Sequence, residues 1–207
     1  MEGRVPDCTV LSHDLLEGIF ARAGLVSDVE LVEDFPQRYD VAAARQHRWA
    51  RGDWQLLPWI LGRGRDESGD RRRIPIPWIG RWKLLDNLRR TLLAPAAVLV
   101  LVVGWVLGGK AAPVACGLAL AGIVIQMVLP LMARLMPPRR GVGAGAHALG
   151  LWEDVRLAAL QMFLAVTLLA HQAWVMGDAV LRTLMRLFVR RRRMLEWLTA
   201  AQAKVSL

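Results

Sequence analysis

Residues 45–55 read Arg45-Gln46-His47-Arg48-Trp49-Ala50-Arg51-Gly52-Asp53-Trp54-Gln55. Their spacing predicts a long helix from about Arg38 to Leu57 that ends before Pro58, since proline cannot donate the backbone bond a helix interior needs. Arg45, Arg48, Trp49 and Gly52 fall at i, i+3, i+4 and i+7 and so share one face. A glycine inside a helix costs up to about 1 kcal/mol relative to alanine, so Gly52 suggests close approach by another group. Upstream, Ser12-His13-Asp14 opens a shorter helix expected from about Asp14 to Ala23, with Ser12 as N-cap and Gly24 just beyond its end. Between the two helices Val29–Val32 alternates weakly, which predicts a short buried strand. Residues 1–60 therefore read as soluble and α/β.

Beyond this region the chain changes character. Gly62–Arg73 is charged and Gly-rich and reads as a mobile loop. Ile74-Pro75-Ile76-Pro77 is expected to be extended, because a residue before proline avoids the helical region. From Gly80 to Arg90, Trp82, Leu85 and Leu88 oppose Arg81, Lys83, Asp86, Asn87 and Arg90. That pattern predicts a short amphipathic helix, with Trp78 and Trp82 suited to a lipid–water boundary. Leu92–Gly109 is then apolar for about 18 residues, enough to cross a hydrocarbon core of about 30 Å. After a turn at Lys110, Val114–Met132 is a second such run with Gln126 as its one strongly polar residue. Arginines flank this hairpin on both sides, at Arg81, Arg89 and Arg90 and at Arg134, Arg139 and Arg140, which puts both ends in the cytoplasm.

Gly141–Gly150 reads as a flexible linker. The last apolar stretch, Val155–Val189, carries Gln161, His171, Gln172 and Asp178 and runs into Arg190-Arg191-Arg192-Arg193. A single crossing from the cytoplasm would leave those arginines outside, against the charge rule, so the segment either crosses twice with very short spans or lies along the membrane or packs on protein, the latter being favoured. The domain reading is thus 1–60 soluble, 61–91 charged loop and amphipathic helix, 92–136 transmembrane hairpin, and 137–207 linker and apolar helices.

The 207 residues are 55% hydrophobic and 22% charged, with a formal charge of +9. The charge is segregated beside the apolar runs, which points to a membrane face or a phosphate-bearing substrate. No zinc-finger spacing or aromatic RNA-binding strand is present, so nucleic acid is not an expected partner. Cys116 lies in an apolar run, which argues against a disulfide framework with Cys8. His13 and His47 have no third ligand placed with them, and no metal site is expected in this chain.

Sugar transfer from a nucleotide donor needs a base for the acceptor hydroxyl, cations for the departing diphosphate and a flat apolar face for the sugar. A carboxylate serves the first role, arginine the second and tryptophan the third. Asp14 at a helix start is kept anionic by the helix dipole. It could equally do no more than stabilise that start, and Arg45, Arg48 and Trp49 could be a solvated basic face with a packing tryptophan.

Together, Leu11-Ser12-His13-Asp14-Leu15-Leu16-Glu17-Gly18 and Arg45 to Gln55 resemble bacterial cyclic β-1,2-glucan synthase, a membrane-embedded family 2-like glycosyltransferase. The similarity extends more distantly to cellulose synthase. It implies the C-terminal half of an α/β glycosyltransferase catalytic domain followed by an α-helical membrane region. It also implies that Asp14 is the catalytic base and that Arg45, Arg48 and Trp49 line the acceptor channel and contact the diphosphate. Position 45 is Arg where Gln is commoner in the wider group. The implied activity is processive, inverting synthesis of a β-glucan from UDP-glucose at the bacterial inner membrane, with residues 1–90 cytoplasmic. UDP-glucose, the growing glucan and the lipid bilayer are the implied partners, and a divalent Mg or Mn ion is implied for the intact enzyme. The Asp-x-Asp that ligates this metal does not precede Asp14. The chain therefore reads as an internal fragment without the donor-binding half and is expected to be inactive alone. The alternative from another class is a small non-enzymatic membrane protein whose soluble segment binds a partner.

Overall fold

A computed structural model describes residues 14–20, 29–32, 36–63, 76–134 and 143–190. The helices are α1 (Asp14–Phe20), α2 (Tyr39–Gln55), α3 (Leu57–Ile60), α4 (Trp78–Leu107), α5 (Ala111–Arg134), α6 (Ala144–Thr167) and α7 (Leu169–Leu184), and a π-helical turn, Met185–Arg190, follows α7.

No strand occurs among the described residues, so the α/β expectation is corrected: the described architecture is helical. Residues 29–32, expected as a buried strand, are irregular, and Val29, Leu31 and Val32 are 58%, 86% and 99% exposed. Four weakly alternating residues cannot form a ladder without a neighbouring strand to take their N–H and C=O groups. Ser12, Gly24 and most of the charged stretch after Gly62 lie outside the described residues.

Two compact units emerge, one drawn from Met1–Leu92 and Trp174–Leu207, the other Leu93–Ala173. The core of the first gathers Leu16 of α1, Leu56, Trp59 and Ile60 around α3, Ile76, and Leu84 and Leu88 of α4. Leu16 is fully buried there, so α1 is fixed by its apolar side. Gly80 makes the approach of α1 to α4 close: a Cβ on it would come within 2.9 Å of Ile19 Cγ2. Pro58 sits in the first turn of α3, where a missing N–H is tolerated, so the chain bends after Gln55 and resumes as a helix.

The amphipathic segment and the first apolar run form one helix, α4, rather than two. Its 30 residues span about 45 Å, more than a hydrocarbon core of about 30 Å requires. The first half has two apolar faces. Leu84 and Leu88 are buried in the core, whereas Trp78, Trp82 and Leu85 are 75%, 57% and 46% exposed. Trp78 and Trp82 pair with ring centroids 6.4 Å apart, at the position of an interfacial aromatic anchor.

In the second unit, α4 turns into α5 through Gly108 and Gly109, whose φ angles of 65° and 53° favour glycine. Pro113 falls in the first turn of α5, where its absent N–H costs little. Small side chains allow close approach: Ala97, Ala115 and Ala119 are buried beside Ile123, and a methyl at Gly104 would overlap Ala115. Close backbone approach of this kind joins helices where lipid supplies no hydrophobic drive. Leu99, Val102, Val103, Val106, Leu118, Ile125 and Leu129 are exposed on the outside.

Gly143 is extended and α6 begins at Ala144, so the expected linker over 141–150 is helical from that point. Ala144, Ala146, Ala148 and Leu149 are strong helix formers and outweigh Gly145 and Gly150. The following helical stretch breaks at Leu168 with a bend of 70°. By length and composition, α4 and Ala111–Met132 of α5 can cross a membrane, and α6 with α7 would make a third crossing if taken as one bent span.

Candidate functional site

Helix α2 carries the predicted Arg/Trp row. The Arg45 guanidinium lies over the Trp49 ring, 4.4 Å from its centroid, a cation–π contact that covers one side of the indole. Trp49 remains 41% exposed. Arg45 and Arg48 are half-buried, and Gly52 at the end of the row is buried. The structure thus brings Arg45 and Trp49 into direct contact, with Arg48 one residue before the tryptophan on the same helix. Asp14 is the first residue of α1, and its side chain lies outside the described residues. Where the implied base stands relative to the row therefore lies outside them too.

Two bonds tie the C-terminal end of α2 to α4. Trp54 Nε1 donates to Thr91 Oγ1 at 2.8 Å, and Thr91 Oγ1 donates to the Leu88 carbonyl at 2.8 Å. Asn87 Nδ2 donates to Asp53 Oδ1 at 3.3 Å. Burial raises the Asp53 carboxyl above its ordinary range, while the Asn87 bond and the Arg90 charge pull it down.

The back of α2 meets α7. Ala50 packs with Met176 and Ala179, and Val175 lies beside them. His47 Nε2 donates to Asp178 Oδ2 at 2.9 Å, linking residues 131 positions apart. Arg182 Nε, one turn along α7, donates to Asp178 Oδ1 at 2.7 Å. Burial pushes the His47 imidazole below its ordinary value, the Asp178 carboxylate draws it back, and the Arg51 and Arg182 charges push it down again. Sequence reasoning marked Asp178 as a polar residue in this apolar stretch but paired it with neither His47 nor Arg182.

Comparison with known proteins adds what the geometry alone does not. The sequence matches a stretch of a cyclic β-(1,2)-glucan synthase. It is 44% identical to NdvB of Rhizobium meliloti (strain 1021) over 205 residues, which is 99% of this chain and 7% of that protein. No family model and no solved structure matches the chain. Because the match spans 99% of the chain, it covers both compact units. The resemblance first carried by two short motifs therefore holds across the whole chain.

Among the described residues no group of three or more His, Cys, Asp or Glu side chains could hold a metal ion.

Proposed function

We propose that this chain supplies the acceptor side and part of the membrane anchor of a processive, inverting glucosyltransferase that makes cyclic β-1,2-glucan from UDP-glucose. The observation that carries this reading is the identity to NdvB across the chain, joined to an Arg/Trp row on a helix fastened to a membrane-length helix.

In this reading Asp14 takes the proton from the acceptor hydroxyl. The freed oxygen attacks the anomeric carbon of the donor, the new C–O bond forms on the face opposite the leaving group, and UDP departs. Arg48 neutralises the departing diphosphate with its planar fork of donors. Trp49 offers its exposed ring surface to a glucose of the growing chain, and Arg45, stacked on the other side, holds the indole in place. Arg45 thus acts mainly through Trp49. The hairpin of α4 and α5 anchors the site in the bacterial inner membrane, with residues 1–90 on the cytoplasmic side, where UDP-glucose is available. Donor and metal binding belong to parts of the synthase outside this chain. The purified chain is expected to turn over no UDP-glucose, and robust turnover would contradict the proposal.

The direct test replaces the matched segment of NdvB with this chain and adds Asp14→Asn. Loss of a general base lowers rates by about 10²–10⁴-fold, so glucan synthesis should fall by at least about 10²-fold with membrane insertion unchanged. A graft that inserts and polymerises normally with Asn at position 14 rules out the assigned base. A partner-binding membrane protein would not support polymerisation in the graft at all.

A further inference from the structure

The α2–α7 contact holds a polar cluster that the proposed reaction does not use. Successive residues of a helix turn by about 100°, so His47, Ala50 and Arg51 lie about opposite Arg45, Trp49 and Gly52 on α2. One side of α2 carries the Arg/Trp row, and the other rests on α7. The apolar part of that rest is small: Ala50 against Met176 and Ala179, with Val175 alongside. Two alanines facing each other give little shape to resist rotation or sliding of one helix on the other.

Direction comes from the polar pair. His47 Nε2 and Asp178 Oδ2 are 2.9 Å apart, and both side chains are only 24% exposed. Arg182 Nε, 2.7 Å from the same carboxylate, braces it from the next turn of α7. A hydrogen-bonded polar pair at a helix contact is a weak source of stability, and its best-attested use is to fix register. Here the register it fixes is that of the helix carrying Arg45, Arg48 and Trp49.

We propose that Asp178, braced by Arg182, is a positioning residue that acts through His47 to set how α2 presents Arg45, Arg48 and Trp49. The clasp is defined by geometry, but its importance for glucan synthesis rests on the functional reading above. His47 leaves α2 on the side away from Arg45 and Trp49, so the clasp acts through the helix. A helix that follows the membrane hairpin in sequence thereby governs the alignment of a site that precedes it.

The test uses the full chain in lipid nanodiscs, labelled with 5-fluorotryptophan, with the Trp49 resonance assigned by Trp49→Phe. Asp178→Asn should abolish the wild-type position of that resonance, and Asp178→Glu, which keeps a carboxylate, should restore it. Should Asp178→Asn not fold, Arg182→Gln at an exposed position must move the Trp49 line in the same direction by less. A purely structural pair would lower the unfolding temperature and leave the Trp49 line of the folded protein in place. That result, in Asp178→Asn or in Arg182→Gln, overturns the proposal. Glucan synthesis by the NdvB graft separates the two claims. If Asp178→Asn moves the Trp49 line while an Arg48→Ala graft stays fully active, the clasp stands and the sugar-transfer role of the row fails.

Discussion

The two compact units are held together by different physics. In the first, helices distant in sequence share an apolar core and are also joined by directional bonds: His47 to Asp178, Trp54 to Thr91 and Asn87 to Asp53. In the second, small residues such as Gly104 and Ala115 let α4 and α5 approach closely, with many branched and long apolar side chains, such as Leu99, Val106 and Leu118, turned outward. Directional bonds fix angles, which a reacting site needs. Small residues permit close approach, which a helix pair in lipid needs. The chain changes from one device to the other within α4, whose first half carries Asn87 and Thr91 and whose second carries Ala97 and Gly104.

The contrast can be broken one unit at a time. Leu16→Ala leaves a cavity in the first core and should cost about 2–5 kcal/mol. Hydrogen exchange would then rise across α1, α3 and the first half of α4, and the α4–α5 hairpin should stay protected. Gly104→Val does the reverse, forcing a side chain into Ala115 and the Ala111 carbonyl at a cost of about 1–3 kcal/mol. Its signature is loss of hairpin protection with α2 and α7 unaffected.

Smaller effects sharpen the comparison. Trp54→Phe removes the donor to Thr91 and should cost about 1 kcal/mol in denaturant unfolding of the first unit. Asp53 gives a test of sign. Because burial raises its folded pKa, its contribution to stability is present below the ordinary carboxylate value and is lost as pH rises through the raised value. Asp53→Asn should flatten the pH dependence of unfolding in that window and leave the neutral-pH protein at least as stable. A steeper loss with rising pH in the variant would contradict the assignment.

Much of the helical plan was legible in the residues, and the failures have specific causes. Helix α2 was readable because Arg45, Arg48, Trp49 and Gly52 repeat at helical spacing and Pro58 limits the run. The two apolar runs were readable by length. The α/β class was not, because Val29–Val32 offered only an alternation, and a strand exists only with a partner to bond to. The start of α6 at Ala144 was hidden by Gly143, Gly145 and Gly150, and the two glycines inside the helix are outweighed by Ala144, Ala146, Ala148 and Leu149. Leu84 was passed over in α4 because Trp82 and Leu85 suggested one apolar face where two exist. In the site, the row was legible as a set of residue types, but the stacking of Arg45 on Trp49 was not. The Asp178–His47 pair was invisible, since no local spacing marks two residues brought together by tertiary packing.

Glucan synthesis from UDP-glucose by the NdvB graft carrying Arg48→Ala tests the central claim most directly. Loss of one charge-stabilising group at a reacting centre lowers turnover by about 10²–10³-fold, and that is the predicted fall, with insertion and expression equal to those of the unaltered graft. Polymer made at the unaltered rate would show that the face of α2 bearing Arg45, Arg48 and Trp49 takes no part in sugar transfer.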